Sequence, residues 1–372
     1  MDYRNGYKET IKARERIRDY VYETPLIRLN YISEMLGTSV YAKLENLQRT
    51  NSFKIRGALN KMRKLSSEEL EKGVVTASSG NHGKGIATCA KMLGIPAKIV
   101  LSDTSTELKR QMIKDLGAEV VISTVERRFD VAREISEREG MTFIHPYDDL
   151  DVSEGQGTIA VEILNKMDHL KMIVPIGGGG LISGIAMYTK GVTRWAEVIG
   201  VEPENVARYT MSLKEGRPTE IERGESLVDG LMSIKPGENV FSIVRDLVDD
   251  VVTCQDKYIK KALNLLYNKE KLIVEPSSAI GLGAILEGKI KYNDRDKLVL
   301  IITGGNVDGS TIEKIINSWG RKLWEILFVV NLVRLHRQVL EKSMKKLFKW
   351  KEKEREFIIL NLVDLILILQ SW

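Results

Sequence analysis

Cysteine and histidine are both scarce in this sequence: of 372 residues two are Cys, Cys89 and Cys254, and four are His. With no CxxC pair and no histidine cluster, neither a disulfide framework nor a zinc site is expected, and the two cysteines read as small buried apolar residues. Charge of one sign is lacking too. The 56 basic and 51 acidic side chains leave a net +5, too thinly spread to imply nucleic acid or an anionic membrane as a partner. The N-terminal stretch is charged (Lys8, Glu9, Lys12, Arg14, Glu15, Arg16) and carries no apolar h-region, so no export is expected and a reducing, cytoplasmic setting fits. No internal repeat, Pro-rich linker or low-complexity tract precedes Ser318.

What is present is alternation. From about Tyr41 to Gly309 short β-rich runs alternate with longer amphipathic stretches, which predicts an α/β fold with mainly parallel sheets flanked by helices. Val74 to Ala77, Ala97 to Leu101, Ala118 to Ile122 and Thr142 to Ile144 read as one set of strands. Met172 to Pro175, Val198 to Val201, Asp250 to Thr253 and Leu298 to Thr303 read as a second. Two sheets imply two lobes, with the break near the Pro-containing loop His145 to Asp151. The expected division is residues 52–146 for a small lobe, and 1–51 with 147–318 for a large one. The stretch 319–372 differs in character, with four of the five tryptophans, a Lys-rich middle and an apolar end. Its last run, Phe357 to Leu369, is interrupted by Asn361 and Asp364 and is too short for a spanning helix; amphipathic helices docking on the body or a partner are the expectation.

Four constellations carry possible chemistry. Ser52-Phe53-Lys54-Ile55-Arg56-Gly57-Ala58 opens a helix after a polar loop. It puts Lys54 in the first turn, where apolar neighbours and a positive helix end should depress its pKa and make it nucleophilic toward an aldehyde; an ordinary lysine at a helix start reads equally well from the heptapeptide. Ser78-Ser79-Gly80-Asn81-His82-Gly83 follows a strand and precedes the predicted helix Lys84 to Leu93, so its backbone N–H groups could cradle a carboxylate, or its Ser and Asn could simply cap the helix. Gly177-Gly178-Gly179-Gly180 before Leu181 frees the backbone to wrap a phosphate at a helix N-terminus. A dinucleotide fingerprint is its rival, with Glu202 at the ribose-binding spacing, but position 183 is Ser and 182 is Ile where a third glycine would stand. Last, Glu275-Pro276-Ser277-Ser278 begins a helix and Thr303-Gly304-Gly305-Asn306 ends the final strand, where Thr303 offers a hydroxyl suited to a neutral ring nitrogen.

In this order, with Gly155-Gln156-Gly157-Thr158, these motifs resemble the threonine/serine dehydratases of the fold-type II, tryptophan-synthase-β-like pyridoxal-phosphate enzymes, which include serine racemase. The similarity runs from about Thr24 to Asp308. It implies a two-lobed fold with pyridoxal 5'-phosphate between the lobes, covalently held by Lys54, with its phosphate on Gly177, Gly178, Gly179, Gly180 and Leu181. Phe53 would pack beside the ring, Asn81 contact the ring hydroxyl and Thr303 the ring nitrogen. Ser78, Ser79, Gly80, Asn81 and His82 would hold the carboxylate of a small amino-acid substrate, with Lys54 as the base and Ser79 matching the acid/base of racemases on the opposite face. The implied reaction is dehydration and deamination of L-threonine, and L-serine, to a 2-oxo acid and ammonia, in a homodimer or homotetramer.

The chain departs from the family pattern in two places. Some relatives bind a divalent cation with an acid at the end of this strand and a second six residues on; Glu202 fits the first position but Arg208 fills the second, so no metal site is expected. Residues 319–372 are too short for the regulatory domain of catabolic threonine dehydratases and lack its pattern. The enzymatic alternative is a serine or threonine racemase with the same cofactor, suggested by Ser79. The alternative of another class is a nucleotide-binding regulatory protein using the Gly177 loop without chemistry.

Overall fold

Among the described residues ten strands build two sheets. They are β1 (Leu26–Arg28), β2 (Ser39–Leu44), β3 (Val74–Ala77), β4 (Ala97–Ser102), β5 (Glu119–Ser123), β6 (Thr142–Phe143), β7 (Leu170–Pro175), β8 (Ala196–Pro203), β9 (Asp250–Cys254) and β10 (Lys297–Ile302). The computed structural model describes residues 5–309, so the expectations for 319–372 lie outside the described residues. The larger sheet runs β1-β2-β10-β7-β8-β9 and the smaller β5-β4-β3-β6. Every pairing is parallel except the antiparallel β1–β2 edge. The fold is α/β, as the alternation predicts, and helices cover the sheets.

Parallel strands buried on both faces should read as apolar runs rather than alternating ones. The strand β10, Lys-Leu-Val-Leu-Ile-Ile, is buried from Leu298 on, and β7 is buried from Met172 on. The central strand carries the register: Leu300 is level with Ala42 on one side and Ile173 on the other. Around the larger sheet Met172, Val174, Ile182, Ile185, Val198, Val299 and Ile301 form one core; Ile55, Leu59, Val74, Ile86, Ile99 and Val152 form a second against the smaller sheet.

Sequence reading misplaces some edges. The helix expected at Lys84 begins at Asn81 and runs to Leu93, because Gly83 and Gly85 sit inside it for packing. A Cβ on Gly83 would strike the Ser78 carbonyl, and one on Gly85 would rest on the Lys54–Ile55 backbone. The third strand of the smaller sheet is displaced by one residue, to Glu119–Ser123.

The motifs all stand at the carboxyl ends of strands, three of them in the larger sheet and the Ser78 loop in the smaller. The carboxyl ends of β2, β3, β7 and β10 lead respectively into the Lys54 loop, the Ser78 loop, the tetraglycine loop and Thr303. Carboxyl ends of parallel strands are where open α/β sheets receive ligands.

Candidate active site

Lys54 is the first residue of the helix Lys54–Met62. The loop before it is stitched to the end of β10: Phe53 N donates to Thr303 O at 3.1 Å, Gly305 N to Asn51 O at 2.9 Å, and Asn306 Nδ2 to Thr50 O at 2.9 Å. The Lys54 ammonium donates to Pro146 O at 2.8 Å and lies 5.2 Å from the Phe53 ring centroid. Burial pulls its pKa down to about 8, with Glu275 acting in the opposite direction. A buried amine loses more hydration when charged than when neutral, so desolvation favours the free base.

Glu275, at the N-cap of the helix Pro276–Leu286, faces this amine. Burial pushes its carboxyl up to about 7, although a hydrogen bond from Asn81, one from the Asn306 backbone and the Lys54 charge pull the other way. Asn81 Nδ2 reaches both carboxylate oxygens at 3.0 Å, and Asn81 Oδ1 accepts from Asn306 Nδ2 at 2.7 Å. Sequence reading places Glu275 in a helix-start motif and gives it no site role. Its carboxylate meets Asn81 across 194 residues of chain, and no local pattern signals that.

Thr303 is buried with its hydroxyl 3.0 Å from Ser278 Oγ. Ser278 Oγ also accepts from Gly304 N at 2.9 Å and donates to Gly304 O at 2.8 Å. With the serine proton spent on that carbonyl, the threonine hydroxyl is the donor in its 3.0 Å contact with Ser278 Oγ.

The loop after β3 is partly open. Ser78 and Ser79 are half-buried and Gly80 is exposed. Ser78 Oγ accepts from Gly80 N at 3.3 Å, while Ser79 Oγ accepts from Ser102 N at 3.0 Å and lies 3.3 Å from Ser102 Oγ. The His82 ring is buried, with Nε2 3.4 Å from Ile144 O, and burial with the nearby Lys54 charge holds it well below the usual histidine range. It is a neutral ring near neutrality, so a carboxylate at this loop would meet backbone N–H groups and hydroxyls rather than an imidazolium. His145, held at about 3 by burial and the Arg133 and Lys54 charges, is neutral too. Its Nδ1 accepts from Asp148 N at 2.8 Å, which fixes the turn carrying Pro146 and Tyr147.

That turn joins the lysine to the glycine loop. Tyr147 packs on Gly178, where a Cβ would overlap its ring, and a Cβ on Gly180 would come within 2.7 Å of the Tyr147 carbonyl oxygen. Gly179, with φ of +108°, is the N-cap of the helix Gly180–Val192; only glycine adopts that backbone cheaply. Among the described residues the N–H groups of Gly177, Gly178, Gly179, Gly180 and Leu181 find no protein acceptor. Free N–H groups at a helix N-terminus in a cradle that side chains would fill are what a phosphate requires. An aldehyde-bearing phosphate ester therefore fits here, with the Lys54 amine for its carbonyl.

Glu202 serves another purpose. Its carboxylate accepts from Tyr209 N at 2.9 Å and from Thr210 N and Oγ1 at 2.7 Å each, capping the helix Arg208–Glu215. The Arg208 guanidinium lies 3.9 Å from it.

Residues 17–304 match the family described as pyridoxal-phosphate dependent enzymes. An L-threonine ammonia-lyase of Thermotoga maritima is 38% identical over 331 residues, 87% of this chain and 82% of its own length. A catabolic L-threonine dehydratase of Escherichia coli is 40% identical over 311 residues, 82% of this chain and 94% of its own. Among solved structures, maize serine racemase superposes with a TM-score of 0.79 at 35% identity, covering 85% of this chain and 98% of that one. Four motifs at the carboxyl ends of strands from the two sheets, a lysine with a depressed pKa and a bare amide cradle thus agree with kinship over most of the sequence: the chain belongs to the pyridoxal-phosphate dependent enzyme family.

Proposed function

We propose that the protein converts L-threonine, and L-serine, to the corresponding 2-oxo acid and ammonia. The observation that carries this reading is the pairing of the Lys54 amine, brought down to about 8, with the amide cradle of Gly177–Leu181, in a chain about 40% identical to L-threonine ammonia-lyases and dehydratases. Pyridoxal 5'-phosphate, when bound, supplies a conjugated system that spreads the negative charge left when the substrate Cα loses its proton.

The protein's own part follows from its geometry. Lys54 would hold the cofactor aldehyde, and its amine, brought down to about 8, suits a general base for the Cα proton. Phe53 packs against the lysine and would flank the ring. Asn81, fixed between Glu275 and Asn306, would be the residue to contact the ring hydroxyl. Thr303 would offer the ring nitrogen a neutral hydroxyl rather than a carboxylate, an arrangement suited to loss of the β-hydroxyl over amino transfer. The Ser78, Ser79, Gly80, Asn81 and His82 segment binds the substrate carboxylate through N–H and hydroxyl donors. Loss of the β-hydroxyl as water leaves an unsaturated amine, and water returns in hydrolysis to the 2-oxo acid and ammonia.

Ser79 favours a second reading, racemisation of the same substrates. Its half-buried hydroxyl is anchored by Ser102 N and Oγ, and a serine racemase is among the structural neighbours. We further take residues 52–146, which contain β3–β6, as the small lobe, and a reducing, cytoplasmic setting with a homodimer or homotetramer as the working state. Both cysteines are buried and free, and among the described residues no helix is long and apolar enough to cross a membrane.

The test is a visible absorption spectrum of the purified protein before and after L-threonine, with 2-oxobutanoate assayed in the same cuvette and chiral analysis of the remaining amino acid. A band that shifts on threonine with keto acid formed supports the lyase. Abundant D-amino acid with little keto acid would replace it with the racemase. A protein colourless after added pyridoxal phosphate would return the Gly177 loop to a nucleotide or another phosphate ligand.

A further inference from the structure

Four consecutive glycines make a floppy loop, and a floppy loop is a poor anion site unless something fixes it from behind. Each glycine can flip its peptide at little steric cost, and ordering the loop at the moment of binding would consume affinity. In this chain the loop is fixed through its carbonyls. The Arg208 guanidinium, fully buried, donates from Nε to Gly177 O at 2.9 Å, from Nη1 to Val206 O at 2.7 Å and from Nη2 to Ile176 O. The neighbouring Tyr209 hydroxyl donates to Gly178 O at 3.0 Å, where Gly237 N also donates at 3.0 Å. Three successive carbonyls, those of Ile176, Gly177 and Gly178, are thereby held on one side.

In a trans peptide the carbonyl and the next residue's N–H point in opposite directions. Pinning those three carbonyls therefore turns the N–H groups of Gly177, Gly178 and Gly179 to the opposite side, and these are the groups that find no protein acceptor. Glu202 completes the arrangement: its carboxylate caps the helix that begins with Arg208 and sits 3.9 Å from the guanidinium, so the buried positive charge has a counter-ion.

We propose that Arg208 and Tyr209 are positioning residues that orient the tetraglycine loop for its phosphate, and that the Arg208 guanidinium is a built-in cation making a divalent ion at Glu202 unnecessary. The inference rests on the reading that the cofactor phosphate lies on Gly177–Leu181. An arginine with its rigid fork can hold several carbonyls at once, whereas a lysine offers a compact point charge.

The experiment titrates apoprotein with pyridoxal phosphate and, in parallel, with pyridoxal, which lacks the phosphate, following visible absorbance and the 31P resonance of the bound cofactor. Tyr209→Phe removes one hydroxyl and keeps the buried ring; its affinity for pyridoxal phosphate falls about ten-fold, the scale of one buried hydrogen bond, while pyridoxal binding is unchanged. Arg208→Lys falls further, with a shifted 31P resonance. A chelator changes nothing in the wild type. The positioning role is overturned if both variants bind pyridoxal phosphate as the wild type does, or lose pyridoxal equally. The built-in cation is overturned if chelation weakens binding and magnesium or manganese restores it. Gly180→Ala, whose Cβ would press on the Tyr147 carbonyl, tests the underlying reading separately. If it keeps full affinity, or if wild type binds pyridoxal as tightly as pyridoxal phosphate, the phosphate is not on this loop; if it loses affinity while neither Tyr209→Phe nor Arg208→Lys does, the positioning role alone fails.

Discussion

Replacing Arg56 by methionine should destabilise the protein severely, and a second substitution should partly repair it. Arg56 is fully buried two residues beyond Lys54, and its guanidinium reaches Glu45 at 2.8 Å through Nε and Nη2, Glu162 at 2.6 and 3.0 Å, and Thr158 Oγ1 at 3.1 Å. Lys43, also buried, donates to Glu162 at 2.5 Å and to Thr24 O at 2.6 Å. Two positive and two negative charges thus balance in a dry cluster. Burial pushes the Glu45 carboxyl up, but the Arg56 charge and hydrogen bonds outweigh it and leave the group below its ordinary value. Arg56→Met leaves one uncompensated negative charge, and breaking a buried pair in this way costs about 3–5 kcal/mol. Arg56→Met with Glu45→Gln restores neutrality around Lys43 and Glu162, so the double variant should be more stable than the single one despite carrying two changes. Urea unfolding of the apoprotein measures both. A single variant within about 1 kcal/mol of wild type, or a double variant less stable than the single, would refute the charge-balance reasoning.

The remaining predictions concern the site. Lys54 has a folded-state pKa lowered to about 8 from 10.5, so its charged form opposes folding below 8 and that penalty disappears as pH rises toward 10.5. Apoprotein stability should therefore rise with pH across this window, and Lys54→Met should abolish the rise and add roughly 1–3 kcal/mol near pH 7; a flat wild-type profile would contradict the buried amine. The rate at which colour develops when pyridoxal phosphate is added to apoprotein should climb with pH and level above about 8, because only the neutral amine attacks the aldehyde. Glu275→Gln removes a negative charge that raises the Lys54 pKa, so in stopped-flow mixing the midpoint of that profile should move to lower pH; a move upward would place the two groups in a different relation. Lys54→Ala should abolish both the absorption band and 2-oxobutanoate formation while the circular dichroism of the fold persists.

How far the sequence speaks depends on the range of the interaction. Burial on both faces makes the central parallel strands legible as apolar runs, and a lysine at a helix start, a Ser-Gly-Asn loop and a tetraglycine are local patterns that chain order alone turns into a site hypothesis. β2 escaped because Lys43 stands inside it, and only the distant Glu162 makes a buried lysine tolerable there. Arg208 could be noticed only as the wrong residue for a metal; that its guanidinium grips Ile176 and Gly177 depends on tertiary placement. Tyr147 and Pro146 lie in a loop read simply as a boundary, yet that loop joins the lysine to the glycines. The helix start at Asn81 was hidden by Gly83, which marks close packing on the Ser78 carbonyl rather than a break.

The pairing of β2 with β10 has a bearing on biosynthesis. The lysine loop is tied to the segment after β10 by a bond spanning 256 residues, Asn306 to Thr50, and the central position of the larger sheet is filled by its last strand. A nascent chain emerging from the ribosome can assemble the contiguous strands β3–β6 early, but the larger sheet has a gap between β2 and β7 until residue 302 is out. Contacts so distant in sequence are slow to form. Cofactor capture is therefore a late event of synthesis, and a ribosome-stalled chain ending before β10 should emerge with its small sheet folded and no ability to hold the coenzyme.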